Sequence, residues 1–347
     1  MVRASKTEKI LLLSTYGKYL GYQGMNFTIR NKNQTTEEKI PFHEVKEVTL
    51  QSGNSVSTGA LSAMMFWGID ALITTASGKP VGTMTPIEDG SHVKTRICQY
   101  EALKNRKSVE IAKQLVLKKI EAEEQLLRKR RLEGFEALKF SAKERIKLLD
   151  AENVDKIRNR LTPIEGKHAQ HYFNQIVVLL PKFLQINKRE GYRAFDAGNN
   201  LFNIAYEVLR WKILRALIKS KLEPYLGFLH RISHNHAALV SDFMELYRCI
   251  IDDFLIDYSQ QLKEKDFEKH YLSGHYNKKT PRIFLKHPQT NRLIKVLSKH
   301  FEKRVKIPAI RRGKEQSIET LINEEASLLA MYIRGDRSEW NPRVVVP

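Results

Sequence analysis

HVKTRICQYEALKNRKSVEIAKQLVLKKIEAEEQLLRKRR, residues 92–131, decides the architecture of this chain. It has no Gly or Pro and its apolar side chains recur at helical spacing, which predicts one long connecting helix or two in succession. The residues before it read differently. The segments KILLLS, YLGYQG, MNFTIRN, KIPFHEVKEVTLQ and ALITTASGKPVGTM are rich in Ile, Val, Thr, Tyr and Phe and are punctuated by Gly, Asn and Pro, as strands are. Between them SVSTGALSAMMFWG sets Ala60, Leu61, Met64, Met65 and Phe66 at helical spacing behind a Ser or Thr cap, one short helix in a β-rich unit. The remainder of the chain, beyond residue 131, is helical, with predicted helices over 143–160, 164–180, 198–220, 237–262, 289–305 and 317–333 separated by Asn, Gly and Pro. The expected fold is therefore α+β: a small β-sandwich-like domain over 1–88, with one short helix, and a larger all-α domain over 89–347. No repeat of 20 to 50 residues is visible, and the last segment, GDRSEWNPRVVVP, is expected to fray.

At 347 residues the chain exceeds the ~150 that one core usually organises, in keeping with two domains. With 42% hydrophobic and 28% charged residues it is neither collagen-like nor wholly disordered. Two cysteines, Cys98 and Cys249, exclude a disulfide framework and four-thiolate zinc sites and suit a reducing compartment. The N-terminal apolar run is too short for a signal peptide. The longest charge-free run, 48–69, carries Gln51, Ser52, Asn54, Ser55, Ser57 and Thr58, which excludes a membrane span. A cytoplasmic protein is expected.

Charge is the outlying property: 59 Lys and Arg against 39 Asp and Glu, net +20, with a pI near 9.7. Such a balance points to a polyanionic partner. It is unevenly spread, net +1 over residues 1–90 and +19 over 91–347. Between Lys278 and Lys314, thirteen basic residues, Lys295, Lys299, Lys303, Arg304, Arg311 and Arg312 among them, face one acid, Glu302. Ile283, Phe284, Leu285, Leu293, Ile294, Val296, Leu297 and Phe301 interrupt the run with core-forming side chains, so a folded phosphate-contacting surface is expected rather than a disordered tail.

Three segments hold residues able to do chemistry. In TPIEGKHAQHYFNQIVVLL, Glu165 opens a predicted helix beside Gly166, where a carboxylate also has the plain role of complementing the helix dipole. In PYLGFLHRISHNHAALVSDFMELYR, His230 closes an apolar approach and precedes an amphipathic helix with Leu239, Phe243, Leu246, Ile250 and Phe254 as its core stripe. Asp242 and Glu245, three residues apart, lie about 60° apart on adjoining turns beside that stripe. Two neighbouring carboxylates repel unless a cation or proton sits between them; otherwise the pair is a solvated flank, and His230 a satisfied buried or capping histidine. Histidine with carboxylates suits Mg²⁺ or Mn²⁺, which activates a water or a 3′-hydroxyl against a phosphodiester. Rival constellations fail. Glu165 and His168 form an E-x-x-H without the second copy that a di-iron bundle needs. His234, Asn235 and His236 only spell a nuclease motif whose residues are dispersed, and no phosphate-cradling G-x-x-x-x-G-K-[ST] or G-x-S-x-G turn occurs.

The blocks SVSTGALSAMMFWGIDALITTASGKPVG, EGKHAQHYF, DAGNNLFNIAYEVL, PYLGFLH and LVSDFMELYR, in that order over most of the chain, resemble the CRISPR-associated adaptation integrases, the metal-dependent DNA endonucleases called Cas one. The resemblance implies a β-rich N-terminal dimerisation domain and a helical catalytic domain. It implies a Mn²⁺ or Mg²⁺ ion on a glutamate, a histidine and an acidic residue, which here are Glu165, His230 and Glu245. Asp242 would then orient His230 or water, and Arg248 is either a phosphate or carboxylate partner or a solvated arginine. The implied activity is DNA cleavage and insertion of short DNA into a repeat array by 3′-hydroxyl transesterification. The implied partners are DNA, a second copy and the small Cas two protein, with no membrane. The sequence departs from the family in KLEP before G-F-L-H, in RISHNHAA after it and in DAGNN, which leaves the local path near Asn199, Asn200 and Asn203 and the roles of His234 and His236 open. The residues by themselves also allow a non-catalytic basic nucleic-acid-binding module, or a basic scaffold.

Overall fold

In a computed structural model the described residues are all except 1–8, 14–15, 32–36, 76–79, 85–90, 133–135, 192–193, 235, 272–280, 307–314 and 347. The chain divides into two compact units, Met1–Gly90 and Ser91–Pro347.

The first unit holds β1 (Lys9–Leu13), β2 (Lys18–Gln23), β3 (Asn26–Asn31), β4 (Glu37–Pro41), β5 (Val45–Gln51), β6 (Ser55–Val56), α1 (Thr58–Phe66), β7 (Asp70–Thr74) and β8 (Pro80–Met84). They form two four-stranded sheets, ordered β4-β3-β2-β6 and β1-β5-β7-β8. In the first, β2 pairs antiparallel with β3 and β3 with β4; in the second, β1, β5 and β7 run parallel and β8 antiparallel. Gly24, at φ +59°, supplies the backbone conformation that the two-residue β2–β3 turn requires. Leu20 and Phe27 of one sheet, Leu13 and Val48 of the other and Met64 of α1 share one core. Ser57 caps α1 by accepting from the Ala60 N–H at 3.0 Å, as expected. Phe66, by contrast, is 83% exposed and stacks edge-on with Trp67, because it falls at the helix end on the side away from Ala60 and Met64.

The second unit is mainly helical: α2 (Ser91–Leu103), α3 (Arg106–Lys129), α4 (Glu136–Lys147), α5 (Arg158–Val177), α6 (Ala197–Lys219), α7 (Ala238–Ser259), α8 (His287–Phe301) and α9 (Ile318–Arg334). It also contains two short antiparallel pairs that the sequence did not announce, β9 (Phe267–His270) with β10 (Arg282–Leu285) and β11 (Arg304–Lys306) with β12 (Glu315–Ser317). The forty-residue run is two helices. Asn105 starts the second by accepting from the Lys107 N–H, and a side chain that competes for the backbone in this way favours a cap over a helix interior.

Two helix expectations are corrected. The stretch 143–160 is not continuous: α4 ends at Lys147, and α5 starts at Arg158. There α5 continues through Pro163, whose missing N–H removes only the bond to the Asn159 carbonyl in an early turn. Glu165 therefore lies well inside a helix, and first-turn dipole complementation is not its role. The C-terminal segment is also not a loose tail. Gly335, in the left-handed conformation at φ +84°, turns the chain out of α9, after which Trp340 is 4% exposed and stacks on Phe243. Arg343 pairs with the fully buried Glu325 of α9.

Helix α7 organises the unit. Its buried residues go all the way round it, as in a helix at the centre of a bundle, and α3 and α6 pack against it while α5 packs against α3. No helix among the described residues is long and apolar enough to cross a membrane.

Candidate active site

The helices α3, α5, α6 and α7, with the segment 187–189, line a cavity of about 420 Å³, to which Glu165 comes from α5 and Glu245 and Arg248 from α7. A Cβ at Gly166 would meet nothing within 4 Å, so this glycine leaves the cavity wall open rather than easing a tight contact.

Lys119 of α3 stands between the two carboxylates. Its Nζ pairs with Glu165 Oε1 and, at 2.5 Å, with Glu245 Oε2, and its side chain is only 7% exposed. Glu245 Oε1 meets Arg248 Nη2 at 3.1 Å. Burial alone would raise the Glu245 carboxyl, but the charges of Arg248 and Lys119 outweigh it and hold the group down to about 2. Burial likewise opposes the Lys119 charge and is overcome by Glu245, Glu165 and Glu123, so the ammonium is held above the ordinary lysine range. Lys119 thus serves as the shared cation of Glu165 and Glu245, whereas Asp242, expected from its spacing to converge with Glu245, turns to His230 and three backbone amides instead.

His230 and Asp242 form the adjoining part. Asp242 is fully buried and accepts the backbone N–H groups of Phe228 at 2.5 Å, Leu229 at 3.0 Å and His230 at 2.8 Å. Its Oδ1 also lies 2.7 Å from His230 Nδ1. A carboxylate only accepts, so in the neutral ring Nδ1 carries the proton and Nε2 keeps its lone pair. Burial lowers the His230 imidazole, while the bond to Asp242 and the Asp242 and Glu245 charges raise it above its ordinary value. At Gly227 a Cβ would fall 2.6 Å from Ala238 Cβ, so glycine is what lets this turn lie against the start of α7. From α5, Arg158 donates to the carbonyls of Leu229 at 2.9 Å and Phe228 at 3.1 Å, gripping the turn from the other side. His230 does not line the cavity, though Glu245 is close enough for its charge to act on it.

A third group lies deeper. Asp252, one helical turn beyond Arg248, accepts from Tyr172 at 2.7 Å and Tyr206 at 2.5 Å. Burial pushes it up to about 6, with the two hydroxyls acting in the opposite direction. The Tyr206 ring lies 5.1 Å from the Arg189 guanidinium and 5.4 Å from that of Arg248. Arg189 donates to Asn199 at 2.6 Å and to Asn203 at 2.7 Å, and Asp196 caps α6 through the Asn199 N–H. The DAGNN segment thus ties the 188–191 loop to the start of α6.

The remaining predicted residues are more scattered. Lys295, Lys299, Lys303 and Arg304 are exposed, on α8 and the short segment after it, while Leu293, Leu297 and Phe301 are buried; Val296, expected in the core, is 37% exposed. Arg311 and Arg312 lie outside the described residues. His168 turns to Glu123 of α3, with Nδ1 2.7 Å from Oε2. His236 places its ring centroid 6.0 Å from that of His230. Lys119, Arg189, Tyr206 and Asp252 were missed. For Lys119 a signal existed: with Glu123 it continues the apolar phase that Ala112, Leu115 and Val116 set in α3, where an unpaired charge would be costly.

Among the described residues no group of three or more His, Cys, Asp or Glu side chains is drawn together as a metal site. The donor chemistry nonetheless fits a hard divalent ion, with two carboxylates on one cavity, an adjoining imidazole whose Nε2 lone pair is kept, and a cation already demanded between the carboxylates.

A family model described as CRISPR associated protein Cas1 matches residues 11–290. The CRISPR-associated endonuclease Cas1 of Korarchaeum cryptofilum is 29% identical over 281 residues, spanning 76% of this chain and 82% of that relative. Among solved structures, a casposase bound to integration product has a TM-score of 0.69 at 21% identity, over 97% of this chain and 100% of the other. A partial Cas6-RT-Cas1–Cas2 complex contains a chain with a TM-score of 0.71 at 20% identity, over 97% and 98%. At these identities the solved structures show a common fold.

Proposed function

Since the chain belongs to the CRISPR associated protein Cas1 family, we propose that it is a divalent-metal-dependent DNA endonuclease and integrase of CRISPR adaptation. In this reading it cleaves phosphodiesters and joins the 3′-hydroxyl ends of short DNA into a repeat array. The observation that carries the reading is the meeting of Glu165 and Glu245 on one cavity with Lys119 between them, beside a histidine fixed by Asp242.

Glu165, His230 and Glu245 would hold Mn²⁺ or Mg²⁺. When bound, such an ion polarises a phosphodiester and lowers the pKa of a coordinated water or hydroxyl. The protein's own residues do the positioning. Asp242 keeps the proton of the neutral His230 ring on Nδ1, so Nε2 would be the nitrogen that takes the ion, and the three backbone bonds to Asp242 keep the turn from shifting. Arg248 and Arg189, both against Tyr206 and both lining the cavity, would offer guanidinium groups to a phosphate. Strand transfer breaks one phosphodiester and makes another, so it needs no nucleotide energy source, consistent with the absence of a phosphate-cradling loop motif. Lys295, Lys299, Lys303 and Arg304 would carry the duplex, together with Arg311 and Arg312.

The first unit is proposed to form a homodimer, for which the exposed Tyr16, Tyr22, Phe66 and Trp67 supply an aromatic surface. The Cas two protein is the proposed second partner, and the cytoplasm the proposed place of action.

The test is a strand-transfer and cleavage assay with Mn²⁺. Glu165→Gln, His230→Ala and Glu245→Gln are each expected to lower turnover at least about a hundredfold, with DNA binding kept within about threefold. Full activity in all three would show that the site lies elsewhere.

A further inference from the structure

Lys119 has no place in the activity just described, yet it holds the centre of the site. Its Nζ pairs with Glu165 and Glu245 at once, and both carboxylate oxygens it takes are ones that an ion would need. Four acidic and four basic side chains line the cavity, so the wall is formally neutral with Lys119 in position. A divalent ion added to it brings two uncompensated charges beside the buried Lys119 and Glu245 side chains, where charge is poorly screened. DNA phosphates lying at the Arg248 and Arg189 end would bring the missing negative charge.

Resting on the metal-dependent reading above, we propose that Lys119 makes ion binding at Glu165 and Glu245 conditional on DNA. In the protein alone the ammonium stands between the carboxylates and is ion-paired with both. With DNA in place the phosphates offset the added charge, and the ion and Lys119 share the carboxylates. Ion and DNA then strengthen one another by the same factor, since binding linkage is reciprocal. The chain thereby withholds a cutting-competent ion until a DNA strand lies in the site.

The experiment measures Mn²⁺ affinity of the full chain from the electron paramagnetic resonance signal of free Mn²⁺ at fixed ionic strength. It is run without DNA and with a short duplex bearing dideoxy 3′ ends, verified intact afterwards. For the wild type, the duplex is expected to tighten Mn²⁺ about tenfold or more, within the range of coupled sites. Lys119→Met is expected to bind Mn²⁺ about tenfold tighter without DNA, to respond to DNA less than about threefold, and to gain more in Tm on adding Mn²⁺ than the wild type does. Lys119→Arg, which keeps the charge, should behave as the wild type. A wild-type affinity indifferent to DNA overturns the proposal whatever the variants do, as does a Lys119→Met protein with wild-type affinity and wild-type response. If Glu165→Gln and Glu245→Gln bind Mn²⁺ as the wild type does, the ion sits elsewhere and the functional reading falls along with this one.

Discussion

Asp242, Glu245 and Asp252 are buried carboxylates on one face of α7, and their partners give them different work. Asp242 holds three backbone amides and an imidazole. Glu245 answers two cations. Asp252 has only two tyrosine hydroxyls as bonded partners, and burial carries it from 3.8 up to about 6. That upward shift sets the sign of its pH effect. A carboxyl whose folded value lies above its unfolded one contributes stability that is complete below the unfolded value, near 3.8, and is lost as the pH rises through about 6. The loss is on the order of 3 kcal/mol, at about 1.36 kcal/mol per decade of proton affinity. Glu245, held at about 2, acts in the opposite direction and in a lower window, its stabilisation being lost as the pH falls from 4.5 toward 2. Asp252→Asn separates the two. The difference in urea-unfolding free energy between variant and wild type should move in the variant's favour between pH 4 and pH 7 and stay flat above that. Parallel curves across this window would mean that Asp252 ionises as an exposed aspartate does.

At the scale of elements, α7 and the helical character of the 92–131 run were legible because each carries apolar residues at helical spacing and no helix breaker inside; whether the run was one helix or two stayed open, and Asn105 divides it. The strands of the first unit were legible from their own local composition, whereas β9 to β12 of the second were not. The start of α5 was not, since Pro163 reads as a first-turn residue and only packing of Leu161 and Ile164 into the core carries the helix back to Arg158. Glu165, Asp242 and Glu245 could be nominated from sequence; for Lys119 the apolar phase of α3 marks a buried charge, but its partners lie on α5 and α7 and no local pattern records the pairing. The C-terminal segment failed for a similar reason. Its composition is that of a tail, and what orders it is distant: Phe243 of α7, Glu325 of α9 and Gln125 of α3. Trp340→Ala should therefore cost about 3–5 kcal/mol in urea unfolding, as large-to-small changes in a core do, and Trp340→Phe appreciably less. An unchanged midpoint in Trp340→Ala would restore the frayed tail that composition suggests.

For the whole molecule, the division of charge between the units is a division of surfaces. The first unit, near neutral, exposes aromatic rings, and the second, at +19, exposes lysines on a helix whose other face is core. Helix α8 packs on α6, the helix that carries Tyr206 into the cavity, so a duplex tracking Lys295, Lys299 and Lys303 would lie along the same framework that positions the site. If these lysines meet phosphates, each displaces counterions and adds about 0.9 to the steepness with which log affinity falls against log salt. Replacing all three with Gln should flatten that slope by up to about 2.7 and weaken binding to all sequences alike, because phosphate contacts carry no sequence information. Lys39→Gln in the first unit should leave the slope unchanged within about 0.3. Titrations of a labelled duplex at four or more salt concentrations read both numbers. A triple variant with the wild-type slope would remove α8 from the DNA path and assign the excess charge to the rest of the helical unit.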